Sequence, residues 1–150
     1  MHPIAQAIEA LFARENWRIQ KTDEHSYTFD FRGENNRYIF HARIGERNNT
    51  LTIYAVCPMQ VPNHRLQEAA EFLHRANYGM FIGNFELDFR DGEVRYKVSV
   101  DFEEKRPQPD YINEKMIDIA LIMADRYTPG LGSVIFANKS AKDAIEDVEG

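Results

Sequence analysis

The sequence contains almost no cysteine and no long apolar run. Cys57 is the single cysteine among the 150 residues, so an internal disulfide cannot form. No uninterrupted apolar stretch approaches the roughly 18 residues of a membrane-spanning helix. The start Met1-His2-Pro3 leads into a helical pattern rather than into a basic and then apolar signal peptide. We therefore expect a cytoplasmic protein that does not associate with a membrane.

Positive charge is also scarce. Eighteen Lys and Arg residues stand against 24 Asp and Glu residues, which gives a net charge of −6. Such a chain repels a phosphate backbone, so we expect it not to bind nucleic acid. Hydrophobic residues make up 43 % and charged residues 28 %, as in ordinary globular chains. We predict one domain over residues 1–139, followed by a polar, mostly acidic tail over residues 140–150 that frays.

Motifs that carry chemistry are missing. The five histidines lack HExxH spacing, and Cys57 has no partner at CxxC spacing. The nucleophile elbow GxSxG, the Walker motif GxxxxGK and the dinucleotide motif GxGxxG do not occur. We predict no catalytic residue, no metal site and no cofactor, and we place Cys57 in the core as a small apolar side chain.

Hydrophobic periodicity divides the chain into helices and strands. Helical spacing predicts helices at residues 3–15, 62–78 and 110–127. Alternation predicts strands at residues 26–32, 38–44, 51–57, 85–89 and 94–102, with a short possible strand at residues 17–20. Thr128-Pro129 is typical of the start of one more helix, and the glycines that follow are interpreted as punctuation between two helices rather than as an anion site. Short turns between the strands indicate an α+β fold with an antiparallel sheet.

The turns at residues 33–36 and 45–49 fix the pairing of the first long strands. Ile44 then faces Leu51, Ala42 faces Ile53 and Phe40 faces Ala55 on the inner side of the sheet. The same register places Ile39 opposite Val56 and His41 opposite Tyr54 on the outer side. Ile39, Tyr54 and Val56 therefore form a candidate protein interface.

A second hairpin is predicted around Asp91-Gly92 as a two-residue turn. That turn would place Asp88 opposite Arg95 and Glu86 opposite Lys97. We interpret these pairs as a solvated sheet face rather than as catalytic carboxylates.

The helix predicted at residues 110–127 is apolar over an arc of roughly 200°, where covering a sheet needs about 100°. Ile117, Leu121 and Ala124 lie on this arc and are further candidate interface residues. Either the segment Leu131 to Phe136 folds back over the surplus, or a second subunit covers it. Both explanations can be true at once.

Three sequence blocks resemble the YbjN-domain family: Arg75-Ala76-Asn77-Tyr78-Gly79, Gly83-Asn84-Phe85-Glu86-Leu87-Asp88 and Asp91-Gly92-Glu93-Val94-Arg95-Tyr96. A weaker pattern extends the resemblance to roughly residues 4–136. The resemblance implies a type III secretion chaperone-like fold, an antiparallel sheet with helices packed on one face in the order α-β-β-β-α-β-β-α. It also implies a dimer that binds other proteins without chemistry, in a family labelled as bacterial sensory transduction regulators, with no catalytic residues to transfer.

Our first hypothesis is a non-enzymatic protein-binding module, chaperone-like or regulatory, that forms a homodimer and binds an unknown client protein. The alternative is a small-molecule sensor or a modest enzyme with a pocket between the sheet and the C-terminal helix. A third hypothesis is that the protein is a subunit of an assembly and has no client.

Overall fold

The computed structural model describes residues 1–150 as an α+β fold around one antiparallel sheet. The helices are α1 (Pro3–Glu15), α2 (Leu66–Asn77), α3 (Pro109–Ile112), α4 (Asp118–Phe136) and α5 (Ala141–Glu149). The strands are β1 (Gln20–Asp23), β2 (Ser26–Arg32), β3 (Arg37–Ile44), β4 (Thr50–Val56), β5 (Asn84–Leu87) and β6 (Val94–Asp101). A 3₁₀ turn, Asn63–Arg65, precedes α2, and a π-helical segment, Asn113–Ile117, joins α3 to α4. The predicted fold class is confirmed.

The six strands lie in the order β1-β2-β3-β4-β6-β5, and every neighbouring pair is antiparallel. The predicted pairing of β3 with β4 is confirmed throughout, from Ile44 opposite Leu51 to Ile39 opposite Val56. β6 returns beside β4, which leaves β5 at one edge of the sheet and β1 at the other.

One face of the sheet is buried and the other is not. Residues alternate between exposed and buried along the whole of β3, as a strand with one covered face requires. Phe12 of α1 packs on Phe29 with ring centroids 4.7 Å apart, and α2 and α4 cover β4, β5 and β6. The side facing the helices is the inner face. We call the opposite side, which no helix covers, the outer sheet face.

The first strand begins later than predicted. Trp17 does not pair in the sheet, because its ring packs edge-on against Phe12 and Phe31, with centroids 5.6 and 5.0 Å apart. The chain therefore reaches the sheet only at Gln20, which pairs with Thr28.

The predicted register of the second hairpin is wrong by two residues. Leu87 lies opposite Val94 and Glu86 opposite Arg95, because residues 88–93 form a wider turn than Asp91-Gly92 alone. The Asp88 carboxylate accepts a hydrogen bond from the Arg90 amide at 2.9 Å. The Gly92 carbonyl accepts another from the Val61 amide at 2.9 Å. Asp88 therefore pairs with Arg90 instead of Arg95.

The helix predicted to stop at residue 127 continues to Phe136, with Pro129 inside it. A proline in a helix leaves the carbonyl four residues earlier without its amide partner. Here that carbonyl, of Asp125, accepts a hydrogen bond of 3.0 Å from the side-chain amide of Asn35 in the β2–β3 turn. The missing backbone bond is thus replaced, and the Thr128 to Ser133 stretch is neither helix punctuation nor a helix N-terminus.

The predicted frayed tail is instead helix α5. Ser140 caps its first turn by accepting a hydrogen bond from the Asp143 amide at 3.1 Å. Ala141, Ala144 and Ile145 are buried against α2 and α4. Alanines and an isoleucine at helical spacing among acidic residues make an amphipathic helix, so the negative charge lies on its solvent side.

Candidate protein-interaction surfaces

The outer sheet face carries the first set of predicted interface residues. Ile39 is 55 % exposed and lies opposite the half-buried Val56. Tyr54 lies one row further along the strands, opposite His41 as predicted. The Arg95 guanidinium stacks on the Tyr54 ring, 4.0 Å from its centroid, which is the geometry of a cation–π contact. The uncovered apolar strip therefore consists mainly of Ile39 and Val56, with Tyr54 covered by Arg95.

Positive charge surrounds this strip. The register places five cations and four carboxylates on outward-facing strand positions, a local net charge of +1 in a chain of net charge −6. The cations are Arg32, Arg37, Arg43, Arg95 and Lys97, and the carboxylates are Asp23, Asp30, Glu86 and Asp101.

Ion pairs use two of these carboxylates. Asp30 lies 3.3 Å from Arg37, and Glu86 lies 2.8 Å from both Arg95 and Lys97. Burial raises the pKa of Glu86, but the hydrogen bonds from Lys97 and Arg95 outweigh burial and hold that pKa below its usual range. Glu86 is therefore charged at neutral pH.

The second set of predicted interface residues, on the long helix, is mostly buried inside the single chain. Ile117 and Ala124 are 2 % and 0 % exposed, and Leu121 is half-buried. Part of the surplus apolar arc is covered from within the chain, because α5 packs on α4. The segment Leu131 to Phe136 does not fold back, because it continues α4. Ile117 and Ala124 are therefore core residues.

The space between the sheet and α4 is filled with side chains. Phe40, Ile53 and Tyr96 on the inner face have no exposed surface, and Ala120, Ala124 and Leu131 of α4 have at most 1 %. The pocket that the sensor or enzyme alternative requires at this place is therefore not formed.

Another surface, which the sequence reading missed, lies at the loop between α2 and β5. Phe81 is fully exposed and Tyr78 is 91 % exposed, while Ile82 is 46 % exposed. Ile122, one helical turn from Ile119 on α4, is 63 % exposed. We call this region the apolar loop surface; it consists of Tyr78, Met80, Phe81, Ile82, Ile119, Ile122 and Met123.

A cleft separates the loop from α4 within this surface. Its volume is about 390 Å³, and eight of its eleven lining residues are hydrophobic. Met80 and Phe81 line it from the loop, and Ile119 and Met123 line it from α4. Arg126 and Glu149 provide opposite charges at the same cleft. The arrangement offers an apolar recess beside a protruding phenylalanine.

The family-like residues hold this loop in place. Asn77, the last residue of α2, accepts a hydrogen bond of 2.7 Å from the Phe85 amide and donates one of 3.1 Å to the Phe85 carbonyl. The Asn77 side-chain amide therefore satisfies both backbone hydrogen-bonding groups of Phe85 on the edge strand β5. Without it, another strand could pair with these groups. The Tyr96 hydroxyl donates to the Ile82 carbonyl at the other end of the loop. The apolar side chains between these contacts are held outward by a fixed loop.

Gly83 is required at the end of the loop. Its φ is +71°, and a Cβ there would lie 2.6 Å from the Lys97 carbonyl oxygen. A side chain at this position would be strained and would collide with the backbone of β6. The sequence signal that could have indicated the surface is the run Met80-Phe81-Ile82 between Gly79 and Gly83, because three apolar residues in a short loop have no strand or helix to bury them.

Cys57 lies in the core as predicted. It is 5 % exposed, and its Sγ is 3.9 Å from the Thr128 hydroxyl. Burial raises the pKa of the thiol to about 12, so the thiol is protonated at neutral pH. The structure has no group of three or more His, Cys, Asp or Glu side chains that could hold a metal ion.

None of the helices has the length and apolar content to cross a membrane. Comparison with curated proteins and with solved structures gave no match to this chain. A protein-family profile matches residues 5–133, which include every strand, α2, α3 and most of α4. That family is described as a putative bacterial sensory transduction regulator, a description consistent with a regulatory role. With 129 of its 150 residues matched, the chain belongs to the YbjN family.

Proposed function

We propose that this protein is a non-enzymatic regulatory module that acts as a homodimer and binds a client polypeptide. The observation that carries the proposal is the apolar loop surface, with Phe81 fully exposed beside an apolar cleft. The description of the family as a regulator supports the same role.

Exposed apolar side chains are common singly, but a contiguous group is typical of a contact surface. Tyr78, Phe81 and Ile82 come from one loop, and Ile119 and Met123 face them across the cleft. When another surface covers this group, its apolar area leaves the water, and this burial stabilises the contact by roughly 25 cal/mol per Å². Tyr and Phe are also residue types that are enriched in the cores of protein interfaces.

A second copy of the same chain fits this surface. In a two-fold dimer the same patch is used on both subunits, so a projection must lie beside a recess that can receive its counterpart. Phe81 projects beside the cleft that lies between its own loop and α4. The cleft also carries both a cation, Arg126, and an anion, Glu149, so two copies can pair these charges reciprocally.

The test is the molar mass in solution of the wild type and of Phe81→Glu, measured by size exclusion with light scattering at micromolar concentration. We expect the wild type at twice its chain mass of 17.5 kDa and Phe81→Glu at 17.5 kDa, since a charge enters the apolar contact. Phe81 makes no core contact that its replacement would remove, because it is fully exposed.

Phe136→Glu is the matched control. Phe136 is 75 % exposed at the far end of α4 and does not line the cleft. This variant should remain a dimer. A monomeric wild type, or equal behaviour of the two variants, would contradict the dimer through this surface.

A further inference from the structure

We propose that the outer sheet face binds an acidic polypeptide segment that carries aliphatic side chains. The proposal specifies the client of the proposed binding function. It uses a different surface from the dimer contact, so the two can fail separately.

The first support is charge complementarity. The outer sheet face has a local net charge of +1, although the whole chain has a net charge of −6. Arg43 and Arg32 form no salt bridge within the chain, whereas Arg37, Arg95 and Lys97 do. Asp23 lies in the same row as Arg43, across β2, and attracts it without forming a salt bridge. Unpaired arginines present planar donors that match a carboxylate in two parallel hydrogen bonds. An acidic segment therefore meets free cations here and repulsion from the rest of the molecule.

The second support is the apolar strip between the cations. Ile39 lies directly opposite Val56 on the neighbouring strand, and Ile39 is more than half exposed. Side chains directly opposite each other in a sheet lie about 5 Å apart, so the two form one aliphatic contact area. A leucine, isoleucine or valine in the client fits this area between the flanking charges.

The same strip favours a polypeptide over a nucleic acid. Single-stranded nucleic acids bind by stacking bases on aromatic rings. The only phenylalanine, tyrosine or tryptophan on this face is Tyr54, and Arg95 already stacks on it at 4.0 Å. Ile39 and Val56 offer no stacking surface, and the negative charge of the whole chain repels a phosphate backbone.

The test is fluorescence anisotropy with a labelled peptide of four Glu-Glu-Leu-Glu repeats at low salt. We expect binding to the wild type that weakens as salt is added. Arg43→Glu should weaken binding at least about tenfold, because it replaces a charge-assisted contact by repulsion. Ile39→Ser should weaken it as well, since it removes the aliphatic contact.

Three controls separate the possible outcomes. Lys142→Glu makes the same change of charge on the exposed side of α5 and should leave peptide binding unchanged. Phe81→Glu should bind the peptide like the wild type, even if it is a monomer. A peptide with lysine in place of each glutamate should not bind.

Several results would overturn the proposal. One is no binding of the acidic peptide, or equal binding of the lysine peptide. Another is tighter binding of a 16-nucleotide oligouridine that also depends on Arg43, which would identify a nucleic-acid site. A third is a monomeric Arg43→Glu variant of a dimeric wild type, which would assign this face to contact between copies.

Discussion

Asp125 connects the longest helix to the β2–β3 turn through several contacts. Its carboxylate accepts hydrogen bonds from the amides of Glu34 and Asn35, at 2.8 and 3.1 Å. The Tyr38 hydroxyl donates a third at 2.9 Å. Its own carbonyl accepts the Asn35 side chain and so compensates for Pro129. One residue thus fixes the turn and allows the helix to continue through a proline.

These contacts make the stability of the protein depend on pH. Burial raises the pKa of Asp125, but the hydrogen bonds from Asn35, Glu34 and Tyr38 outweigh burial and hold that pKa below its ordinary value of 3.8. A carboxylate with a lowered pKa in the folded chain stabilises the fold above its unfolded pKa. That contribution is lost as the pH falls through the folded pKa.

Asp125→Asn should therefore lower the free energy of unfolding by about 1 to 3 kcal/mol at pH 7. The reason is that the Glu34 and Asn35 amides and the Tyr38 hydroxyl lose a charged acceptor. The difference from the wild type should shrink once the pH falls below about 4, because the carboxyl of the unfolded chain then binds a proton that the folded carboxylate resists. Urea denaturation at pH 7, 4 and 3 measures the difference. Glu104→Gln, at an exposed residue, is the control and should differ little from the wild type at any of these values. A difference for Asp125→Asn that stays constant from pH 7 to pH 3 would contradict this role.

At the scale of elements, α5 docks on the fold where the sequence predicted a frayed tail. Gly130 on α4 permits the docking, because a Cβ there would lie 2.7 Å from both Phe72 of α2 and Val148 of α5. The Ala141 amide also donates a hydrogen bond of 2.6 Å to Glu68 of α2. The Tyr127 hydroxyl donates another of 2.6 Å to Glu149. Helix α5 therefore belongs to the packed structure rather than to a tail.

Ile145→Ala tests this packing. The side chain is 7 % exposed, and removal of its methyl and methylene groups should lower the free energy of unfolding by about 2 to 5 kcal/mol. Lys142→Ala, on the exposed side of the same helix, should change it by no more than about 0.5 kcal/mol. Thermal or urea denaturation of both variants gives the comparison. Equal stability of the two would indicate that α5 is not docked in solution.

The elements also show how far the residue pattern predicts pairing. The β3–β4 register follows from alternation in both strands and from the turn at residues 45–49, and it was predictable because a one-residue slip would expose the whole core face. The β5–β6 register was predicted wrongly by two residues. A slip of two keeps every side chain on its face, so alternation cannot exclude it. The contact of Gly92 with Val61, thirty-one residues earlier in the chain, selects the wider turn.

At the scale of the whole molecule, burial on one face of the sheet leaves two separate exposed surfaces. The helices cover the inner face, the outer sheet face stays in water, and the apolar loop surface lies at the edge beside β5. The outer residues Ile39, Tyr54 and Val56 were predictable because the register assigns them to the uncovered side. The cleft between Phe81 and the α4 residues Ile119 and Met123 was not, because it depends on how the loop lies against α4.

Global opening of the molecule can be followed at Cys57. The thiol is buried and its pKa is raised to about 12, so it reacts with a disulfide reagent only when the fold opens. We expect labelling at pH 8 in native buffer to be at least about 100-fold slower than in denaturant. Ser99→Cys, which adds a thiol on the outer sheet face, should give one additional fast-reacting group. Fast labelling of Cys57 in native wild type would contradict its place in the core.

The sequence by itself determined the antiparallel α+β class, the β2–β3–β4 meander and the register of β3 with β4, because these follow from local alternation and from turns of a few residues. Tertiary structure alone decided the turn at Gly92, the passage of α4 through Pro129, the docking of α5 and the proximity of Phe81 to α4. Each of these depends on contacts between distant parts of the chain, such as Asn35 with Asp125 or Ala141 with Glu68. Local residue preferences do not encode such contacts, because the partners meet only when the whole chain has packed.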